Sequence, residues 1–301
     1  MTSRAAQLRS LLGESGILVL PGAADALTAR LVEDAGFPAV YATGAGIANA
    51  LLGLPDLGLA TMTEIVEQAR RIAGAVEIPV VVDADTGYGN ALNVHRTVRE
   101  LERAGVAGIQ LEDQVTPKRC GHFAGKEVVP VEEMAQKLRA AREARRDADL
   151  VLVARTDALA THGVDEAIAR GRAYAAEGAD LIFVEAPTTR EELAILPHAI
   201  PAPLVANMTE GGKTPLLDAD ELQALGYKVA LYPNTALRAA MSAVREALAR
   251  LRDDGTSRAV LDRLLSWQER QRLVGLPEYE ALERRFVGEL QVEGRRSKVE
   301  G

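Results

Sequence analysis

The sequence predicts an α/β fold, a closed (β/α)8 barrel of the TIM type with extra helices at its C-terminal end. Two observations lead to this prediction. Short runs rich in β-branched residues recur eight times, and most are followed by a segment rich in Ala, Leu, Glu and Arg with apolar residues three or four positions apart. This alternation requires a parallel sheet. Eight units in about 240 residues fit a closed barrel better than an open, doubly wound sheet.

The eight predicted strands follow one another in order along the chain. They cover residues 17–20, 39–42, 80–83, 108–112, 150–155, 181–185, 204–207 and 229–232. Helices are predicted between them, for example over 92–104 and 164–176, where the apolar spacing is helical. In such barrels the reactive residues lie at the carboxyl ends of the strands and in the loops that follow. Many polar residues of this chain fall at those positions.

The C-terminal part contains more helix than a barrel needs. A helix is predicted over 235–252, a stop at 253–256, and further helix over 257–290 with a break near 275–277. Trp267, with Leu264, Leu265 and Leu273, gives this extension an apolar face that either covers the barrel or packs on another subunit. The predicted parts are a catalytic barrel, a helical extension and a disordered tail, over residues 1–255, 256–290 and 291–301.

Composition and charge limit the possible partners and location. The 301 residues are 48% hydrophobic but only 4% aromatic, which favours aliphatic packing of helices on strands. A net charge of -8 argues against a nucleic-acid or anionic-membrane surface. One cysteine cannot form an intramolecular disulfide, and neither a secretion signal nor a membrane-spanning apolar run is found. We therefore expect a cytoplasmic protein.

Several acidic residues are predicted to meet at one end of the barrel. Asp83 and Asp85 lie two positions apart at the end of strand three, and Glu112 ends strand four. Converging carboxylates are stable only when a cation or a shared proton offsets their repulsion. An oxygen-only set suits Mg²⁺ or Mn²⁺. The alternative is that these acids only cap helices at the surface, but Asp83 and Asp85 follow a run of three valines typical of a buried strand.

The loop after strand four contains Lys118, Arg119, Cys120 and His122. Three potential cations near a thiol would favour the thiolate form and make Cys120 a nucleophile or a proton donor. The alternative is an inert, buried cysteine. A polar loop containing glycine and basic residues favours the catalytic interpretation.

Five motifs resemble those of the isocitrate lyase and phosphoenolpyruvate mutase superfamily, and the similarity extends from about residue 18 to beyond residue 238. The motifs are Asp83-Ala-Asp-Thr-Gly, Glu112-Asp-Gln, Lys118-Arg-Cys-Gly-His, Ala154-Arg-Thr-Asp157 and Asn207-Met-Thr-Glu-Gly-Gly. The resemblance implies a (β/α)8 barrel that uses Mg²⁺ to hold an α-oxo carboxylate or enolate. It also implies a homotetramer, a dimer of dimers in which subunits exchange the last barrel helix.

The resemblance assigns roles to particular residues. It implies that Asp85 is the direct metal ligand and that Asp56, Asp83 and Glu112 hold the metal's waters. Backbone N–H groups of the loop that contains Thr43, Gly44 and Ala45 would bind the carboxylate of the oxo acid. The cysteine motif is the form found in the carbon–carbon lyases of the superfamily, so the implied reaction is a retro-aldol or retro-Claisen cleavage of a 2-hydroxy di- or tricarboxylate.

In that reaction Cys120 is the candidate general acid. The general base is left open between Tyr41, His122 and a metal-bound water, and Lys118 and Arg155 complete the candidate catalytic set. Arg155 is the best carboxylate clamp because it is permanently charged and bidentate, although it could instead be a structural partner of Asp157. The remaining candidates for substrate binding are Gly121, Glu185, Asn207 and Thr209.

The identity of the substrate stays open at this stage. Arg238 matches an arginine associated with 2-methylisocitrate lyases, which favours cleavage of 2-methylisocitrate to pyruvate and succinate. The stretches 117–126 and 210–215 are closer to the 2,3-dimethylmalate lyases. Oxaloacetate decarboxylase and carboxyphosphonoenolpyruvate phosphonomutase are alternatives within the superfamily. A barrel that binds oxo acids without catalysis is an alternative of another class.

Overall fold

The computed structural model describes residues 2–121 and 125–287. Its eight parallel strands form a closed barrel in chain order, which confirms the predicted fold. The strands are β1 Leu18–Ala23, β2 Val40–Ala42, β3 Val80–Asp83, β4 Gly108–Glu112, β5 Val151–Thr156, β6 Leu181–Val184, β7 Leu204–Asn207 and β8 Val229–Tyr232. Pairing of β1 with both β2 and β8 closes the sheet.

The helices of the first part of the chain mostly alternate with these strands. They are α1 Arg4–Gly13, α2 Ala26–Asp34, α3 Gly44–Ile47, α4 Met62–Ala75, α5 Ala91–Arg103, α6 Val131–Ala144, α7 Leu159–His162, α8 Val164–Ala176, α9 Arg190–Ala199 and α10 Ala219–Leu225, and a π-helical turn over Ala48–Leu52 follows α3. Side-chain caps define several helix starts, as in α4, where Thr61 and Glu64 form a capping box. None of the described helices is long and apolar enough to cross a membrane.

Nearly every strand residue is buried because the barrel strands have one face inside the barrel and the other under the helices. The residues that point inward form their own apolar cluster, which includes Tyr41, Val153 and Phe183. Leu8 of α1 joins this cluster at the amino ends of the strands. Helix α1 therefore adds to the barrel core, although the sequence pattern did not predict it.

A buried polar network connects β4 and β5 with α8. The carboxylate of Asp113, directly after β4, accepts hydrogen bonds from Thr156 Oγ1 at 2.7 Å and from the Asp157 amide at 3.0 Å. It also accepts from Arg170 Nη1 at 3.0 Å and from the Tyr174 hydroxyl at 2.8 Å. Four donors on one buried carboxylate satisfy its hydrogen-bonding capacity. This network fixes Asp157 at the end of β5.

The chain divides into two compact units, the first ending at Met241 and the second beginning at Ser242. A helix, α11 Thr235–Asp254, contains the boundary. The second unit also contains a 3₁₀ turn over Arg258–Arg263, α12 Trp267–Leu273 and α13 Leu276–Val287. The predicted helix over 235–252 and the predicted break near 275–277 agree with these bounds, but the prediction of helix from 257 was wrong for the 3₁₀ turn.

Within the second unit, Leu273 is buried, whereas Leu264, Leu265 and Trp267 are exposed. The predicted apolar face is therefore open in the single chain. The exchange of helices between subunits stays a prediction, and so does the domain boundary at 255. The predicted disordered tail, 291–301, lies outside the described residues.

Candidate active site

A pocket opens at the carboxyl ends of the strands. Most of its lining residues end a strand or lie in the loop that follows one. The lining consists of Tyr41, Thr43, Ala45, Asp56, Asp83, Cys120, Gly121, Arg155, Phe183, Glu185, Asn207, Thr209, Leu231, Pro233 and Asn234. The structure thus brings most of the predicted site residues into one place.

Four carboxylates and one lysine form an acidic cluster at and below this pocket. Asp83, Asp85 and Glu112 are buried, and the Lys118 ammonium lies 2.5 Å from Asp56 Oδ1 and 2.9 Å from Asp85 Oδ1. Burial raises the pKa of Asp85 to about 6, although the Lys118 charge opposes this shift. Burial also raises the pKa of Glu112 well above its usual value, against the opposing charges of Arg155 and Lys118.

The residues of this cluster fit a hard divalent cation. Asp85 Oδ1 and both carboxylate oxygens of Glu112 are buried and accept no hydrogen bond, although Lys118 and Arg155 contribute nearby charge. Buried carboxylate oxygens that accept no hydrogen bond are rare, and a bound cation or water would satisfy them. Among the described residues, no three acidic, histidine or cysteine side chains converge tightly enough to ligate one ion directly. Mg²⁺ commonly needs only one or two carboxylates because it keeps several waters.

Backbone geometry directs Asp85 into the cluster. Its φ of 47° lies in the left-handed region, which Asp adopts more readily than most residues. The Asp85 amide donates to Asp83 Oδ1 at 3.1 Å, and the Asp85 carbonyl accepts from the Glu112 amide at 2.9 Å. The ends of β3 and β4 are thereby connected through Asp85. This conformation explains why Asp85, two positions beyond the end of β3, still belongs to the cluster.

Arg155, at the end of β5, is shared by three carboxylates. Its Nε lies 3.0 Å from Asp157 Oδ2 and 3.3 Å from Glu112 Oε2, and its Nη2 lies 3.2 Å from Glu185 Oε2. The guanidinium also stacks on the Phe183 ring, with 5.1 Å between its central carbon and the ring centroid. Arg155 thus pairs with Asp157 and also lines the pocket, and its role as a carboxylate clamp stays a prediction.

Cys120 is half-buried and lines the pocket. Its amide donates to the Asp56 carbonyl at 3.2 Å. Gln114 holds the preceding residue, since its side-chain amide accepts from the Arg119 amide at 2.9 Å and donates to the Arg119 carbonyl at 2.8 Å. Gln114, the last residue of the Glu112-Asp-Gln motif, thereby positions the loop with the cysteine.

Gly121 must be a glycine for steric reasons. A Cβ at this position would lie 2.5 Å from Glu185 Cδ and 2.6 Å from Arg155 Nη2. The chain therefore passes directly against the Arg155 and Glu185 side chains. Lys118 is predicted from the sequence to act on the thiol, whereas in the structure its ammonium pairs with Asp56 and Asp85. His122 lies outside the described residues.

The loop after β2 lies against the acidic cluster. A Cβ at Gly44 would lie 2.8 Å from Asp83 Oδ2, so a larger residue would displace that carboxylate. The Thr43 amide donates to the Ala23 carbonyl at 3.2 Å, and Thr43 Oγ1 caps α3 by accepting from the Gly46 amide. Of the three predicted carboxylate-binding amides, the one at Thr43 is therefore engaged within the barrel. Gly44 and Ala45 occupy the first turn of α3, where amides have no intrahelical acceptor.

Two predicted roles are modified by the structure. Burial and the neighbouring Asp83 raise the pKa of Tyr41 well above 10, so this phenol stays protonated at neutral pH. Arg238 is absent from the pocket lining: its side chain is 55% exposed and binds the carbonyl and carboxylate of Glu210. Arg238 lies in the first turn of α11, outside this pocket lining, and its role in substrate binding stays a prediction.

The remaining predicted side chains, Asn207 and Thr209, are linked to Arg155 through Glu185. Asn207 Nδ2 lies 3.3 Å from both oxygens of Glu185, and Thr209 Oγ1 donates to Asn207 Oδ1 at 3.1 Å. Phe183 and Lys126 were not among the predicted site residues. The inward and outward alternation of side chains along β6 could have indicated Phe183. No sequence pattern near Lys126 indicates its partner. Lys126 is buried and pairs with Asp157 at 2.5 Å.

Comparison with known proteins identifies the family of this chain. The family profile described as phosphoenolpyruvate phosphomutase matches residues 8–252. The chain belongs to this family. It is 48% identical to the 2,3-dimethylmalate lyase of Eubacterium barkeri over 94% of this chain and 98% of that protein. It is 51% identical to the probable 2-methylisocitrate lyase 1 of Corynebacterium glutamicum, over 90% of this chain and 88% of that protein.

Solved structures agree with the family assignment. A 2,3-dimethylmalate lyase, described as a PEP mutase/isocitrate lyase superfamily member, superposes with a TM-score of 0.89 at 40% identity and covers 95% of this chain and 96% of that one. A phosphonopyruvate hydrolase in complex with oxalate and Mg²⁺ superposes with a TM-score of 0.86 at 35% identity and covers 95% and 99%. By homology, this member of the superfamily is a carbon–carbon lyase.

Proposed function

We propose that the protein cleaves a 2-hydroxy dicarboxylate with alkyl substituents, of the 2,3-dimethylmalate type, into pyruvate and a monocarboxylate. The observation that carries this proposal is the convergence of Cys120, Arg155 and the acidic cluster on one pocket at the carboxyl ends of the strands. A cation site, a carboxylate clamp and a proton donor are the three parts that a retro-Claisen cleavage requires.

Mg²⁺ is the proposed cofactor, and Mn²⁺ could replace it. Asp85 would hold the ion directly, and Asp56, Asp83 and Glu112 would hold its waters. When bound, the ion lowers the pKa of the substrate hydroxyl and polarises the carbonyl that replaces it. Support comes from the buried oxygens without hydrogen bonds and from the Mg²⁺ in the structure of the related phosphonopyruvate hydrolase.

Protein side chains orient the substrate. Arg155 binds one carboxylate, and the amides of Gly44 and Ala45 bind the other. Because Tyr41 stays protonated, it serves as a hydrogen-bond donor to the substrate rather than as the base. The hydroxyl proton then passes to His122 or to a water. Phe183, Leu231 and Pro233 supply the apolar surface that alkyl groups need.

Cys120 completes the cleavage. As the bond between the hydroxyl-bearing carbon and the next carbon breaks, its electron pair stays on the carbon next to the departing carboxylate. The Cys120 thiol donates its proton to this carbon: the S–H bond breaks, a C–H bond forms, and Cys120 is left as the thiolate. A well-placed general acid contributes about 10²–10⁴-fold to the rate.

The choice between substrates depends on the cations near the pocket. A tricarboxylate needs an additional cation for its third carboxylate, but Arg155 is the only lysine or arginine among the described lining residues. Arg238, the residue that would supply the charge, is bound by Glu210. We therefore favour an alkylmalate. Cleavage of 2-methylisocitrate is the second candidate, favoured by the 51% identity with the relative from Corynebacterium glutamicum.

The experiment that tests this function is Mg²⁺-dependent release of pyruvate or glyoxylate from 2,3-dimethylmalate, 2-methylisocitrate, isocitrate and oxaloacetate. Wild type and Cys120→Ser are assayed in parallel, and circular dichroism verifies the fold of the variant. Cleavage of an alkylmalate that is lost in the variant supports the proposal. Reaction with oxaloacetate alone, or full activity of the variant, would show that the lyase mechanism is wrong.

A further inference from the structure

Lys126 is a buried lysine to which none of the steps above gives a role. Its side chain is only 2% exposed, and it is inserted between two acceptors. Its Nζ lies 2.5 Å from Asp157 Oδ1 and donates to the Gly121 carbonyl at 2.6 Å. A buried ammonium is costly unless it is well paired. Both of its partners adjoin the pocket, since Asp157 binds Arg155 and Gly121 follows Cys120.

We propose that Lys126 is a positioning residue for two parts of the site: it balances the charge of Asp157 so that Arg155 can bind a substrate carboxylate, and it fixes the backbone beside Cys120. This inference rests on the proposed function for the roles of Arg155 and Cys120. The contacts of Lys126 themselves do not depend on that function.

The first part concerns the charge on Asp157. Arg155 Nε and Nη2 lie 3.0 and 3.3 Å from the two Asp157 oxygens, and the same guanidinium pairs with Glu112 and Glu185. One guanidinium therefore faces three carboxylates. Burial alone would raise the pKa of Asp157, but Arg155 and Lys126 more than offset this and lower it. Lys126 supplies the second positive charge, which leaves more of the Arg155 charge for a ligand.

The second part concerns the backbone. Gly121 lies directly against Arg155 and Glu185, and its carbonyl is held by the Lys126 ammonium. On the other side of Cys120, the Lys118 ammonium binds Asp56 and Asp85. Along the chain, Cys120 thus lies between two lysines, each of which pairs with a buried carboxylate, Asp85 for Lys118 and Asp157 for Lys126. Loss of Lys126 would release one of these two attachments.

Oxalate binding tests the first part without any need for turnover. Affinity for oxalate at saturating Mg²⁺ is measured by calorimetry for wild type, Lys126→Met and Lys126→Arg. We expect Lys126→Met to weaken binding roughly tenfold, because Asp157 then holds Arg155 more strongly, and Lys126→Arg to remain close to wild type. Addition of Asp157→Asn to Lys126→Met should recover most of the loss. Unchanged affinity in Lys126→Met, or no recovery in the double variant, would overturn the proposal.

Alkylation of the single thiol tests the second part. Because the chain has one cysteine, iodoacetamide incorporation reports on Cys120 alone. We expect Lys126→Met to be alkylated roughly threefold faster than wild type, and Lys126→Arg to be alkylated at nearly the wild-type rate. The matched control is Lys228→Met, which removes a lysine bound to the carbonyls of Glu14 and Gly16 at the opposite end of the barrel. A rate in Lys126→Met equal to that of Lys228→Met would refute a positioning role.

The two proposals can fail separately. If wild type cleaves none of the acids while oxalate binding and alkylation respond as expected, the lyase proposal fails and the role of Lys126 stands. If alkylmalate is cleaved but neither readout responds to Lys126→Met, the role of Lys126 fails and the lyase proposal stands.

Discussion

The Lys118 ammonium lies 2.5 Å from Asp56 Oδ1, although the two residues are 62 positions apart in the chain. The same ammonium is 2.9 Å from Asp85 Oδ1. A side chain from the loop after β4 therefore supplies positive charge to carboxylates that follow β2 and β3. Lys118 and a divalent cation consequently compete for the same oxygens.

This competition predicts that Lys118→Met binds Mg²⁺ more tightly than wild type. Removal of a positive charge 2.9 Å from the proposed ligand oxygen, Asp85 Oδ1, should lower the dissociation constant roughly tenfold or more. Calorimetric titration with Mg²⁺ measures the effect, with Lys228→Met as a control for loss of a distant lysine. Weaker Mg²⁺ binding in Lys118→Met would mean that the lysine supports the ion instead of competing with it.

The stability of the protein without metal should increase when Asp85 is neutralised. The pKa of Asp85 rises from 3.8 to about 6 on folding, so its ionised form is disfavoured in the folded state. The protonated group stabilises the fold below pH 3.8, and this stabilisation is lost as the pH rises through 6. A shift of this size corresponds to about 3 kcal/mol.

Urea unfolding of Asp85→Asn and wild type, with EDTA present, measures this difference. We expect the variant to be more stable than wild type at pH 8 and the two to converge as the pH falls toward 4. Mg²⁺ binding to the variant should be lost at all pH values. A variant that is less stable than wild type at pH 8 would contradict the assigned cost of the buried carboxylate.

Substitution of Gly121 should affect catalysis more than stability. In Gly121→Ala, the Cβ would collide with the Glu185 and Arg155 side chains. These two side chains cannot move away easily because they form an ion pair with each other. We expect the loop and Cys120 to shift, with kcat/KM lowered about 10²-fold and the melting temperature nearly unchanged. Gly74→Ala is the control, since its Cβ would meet nothing within 4 Å on helix α4. Wild-type activity in Gly121→Ala would show that the close approach is not needed.

Loss of Arg170 should destabilise the fold. Arg170→Met leaves the buried Asp113 carboxylate without its cation, which typically costs about 3–5 kcal/mol. Urea unfolding measures this loss. Arg172→Met, which removes an exposed arginine bound to the Ala199 carbonyl, should cost about 1 kcal/mol or less. Similar losses in both variants would show that the Asp113 network contributes little.

Arg238 distinguishes the two candidate substrates. Because its side chain is exposed and bound by Glu210, Arg238→Ala should change kcat/KM for 2,3-dimethylmalate by about twofold or less. The same measurement is made with 2-methylisocitrate. A large loss confined to the tricarboxylate would favour that substrate and a role for Arg238 in binding its third carboxylate.

The barrel could be predicted from the sequence because its strands are buried on both faces. The predicted strands at 80–83 and 108–112 coincide with the observed β3 and β4, and the predicted strand ends located Glu112, Arg155 and Asn207. Helix α1 was missed because its contribution, Leu8 in the barrel interior, depends on a contact with distant strands.

The partners of loop side chains could not be predicted in the same way. Periodicity says where a strand ends but not which way a lysine in the next loop points. Lys118 was therefore assigned to the thiol instead of the acids, and Lys126, whose partner Asp157 is 31 positions away, was not noticed. Arg238 was placed in the pocket by resemblance, whereas the fold brings it to Glu210.

The charges around the pocket also have a kinetic consequence. Among the described residues around the pocket, the six carboxylates of Asp56, Asp83, Asp85, Glu112, Asp157 and Glu185 outnumber the three cations Lys118, Lys126 and Arg155. A dianionic acid that arrived first would meet net repulsion. We therefore expect the divalent ion to enter before the organic acid and to leave after it. Encounter rates with the acid should then depend on how much of the enzyme already carries the ion.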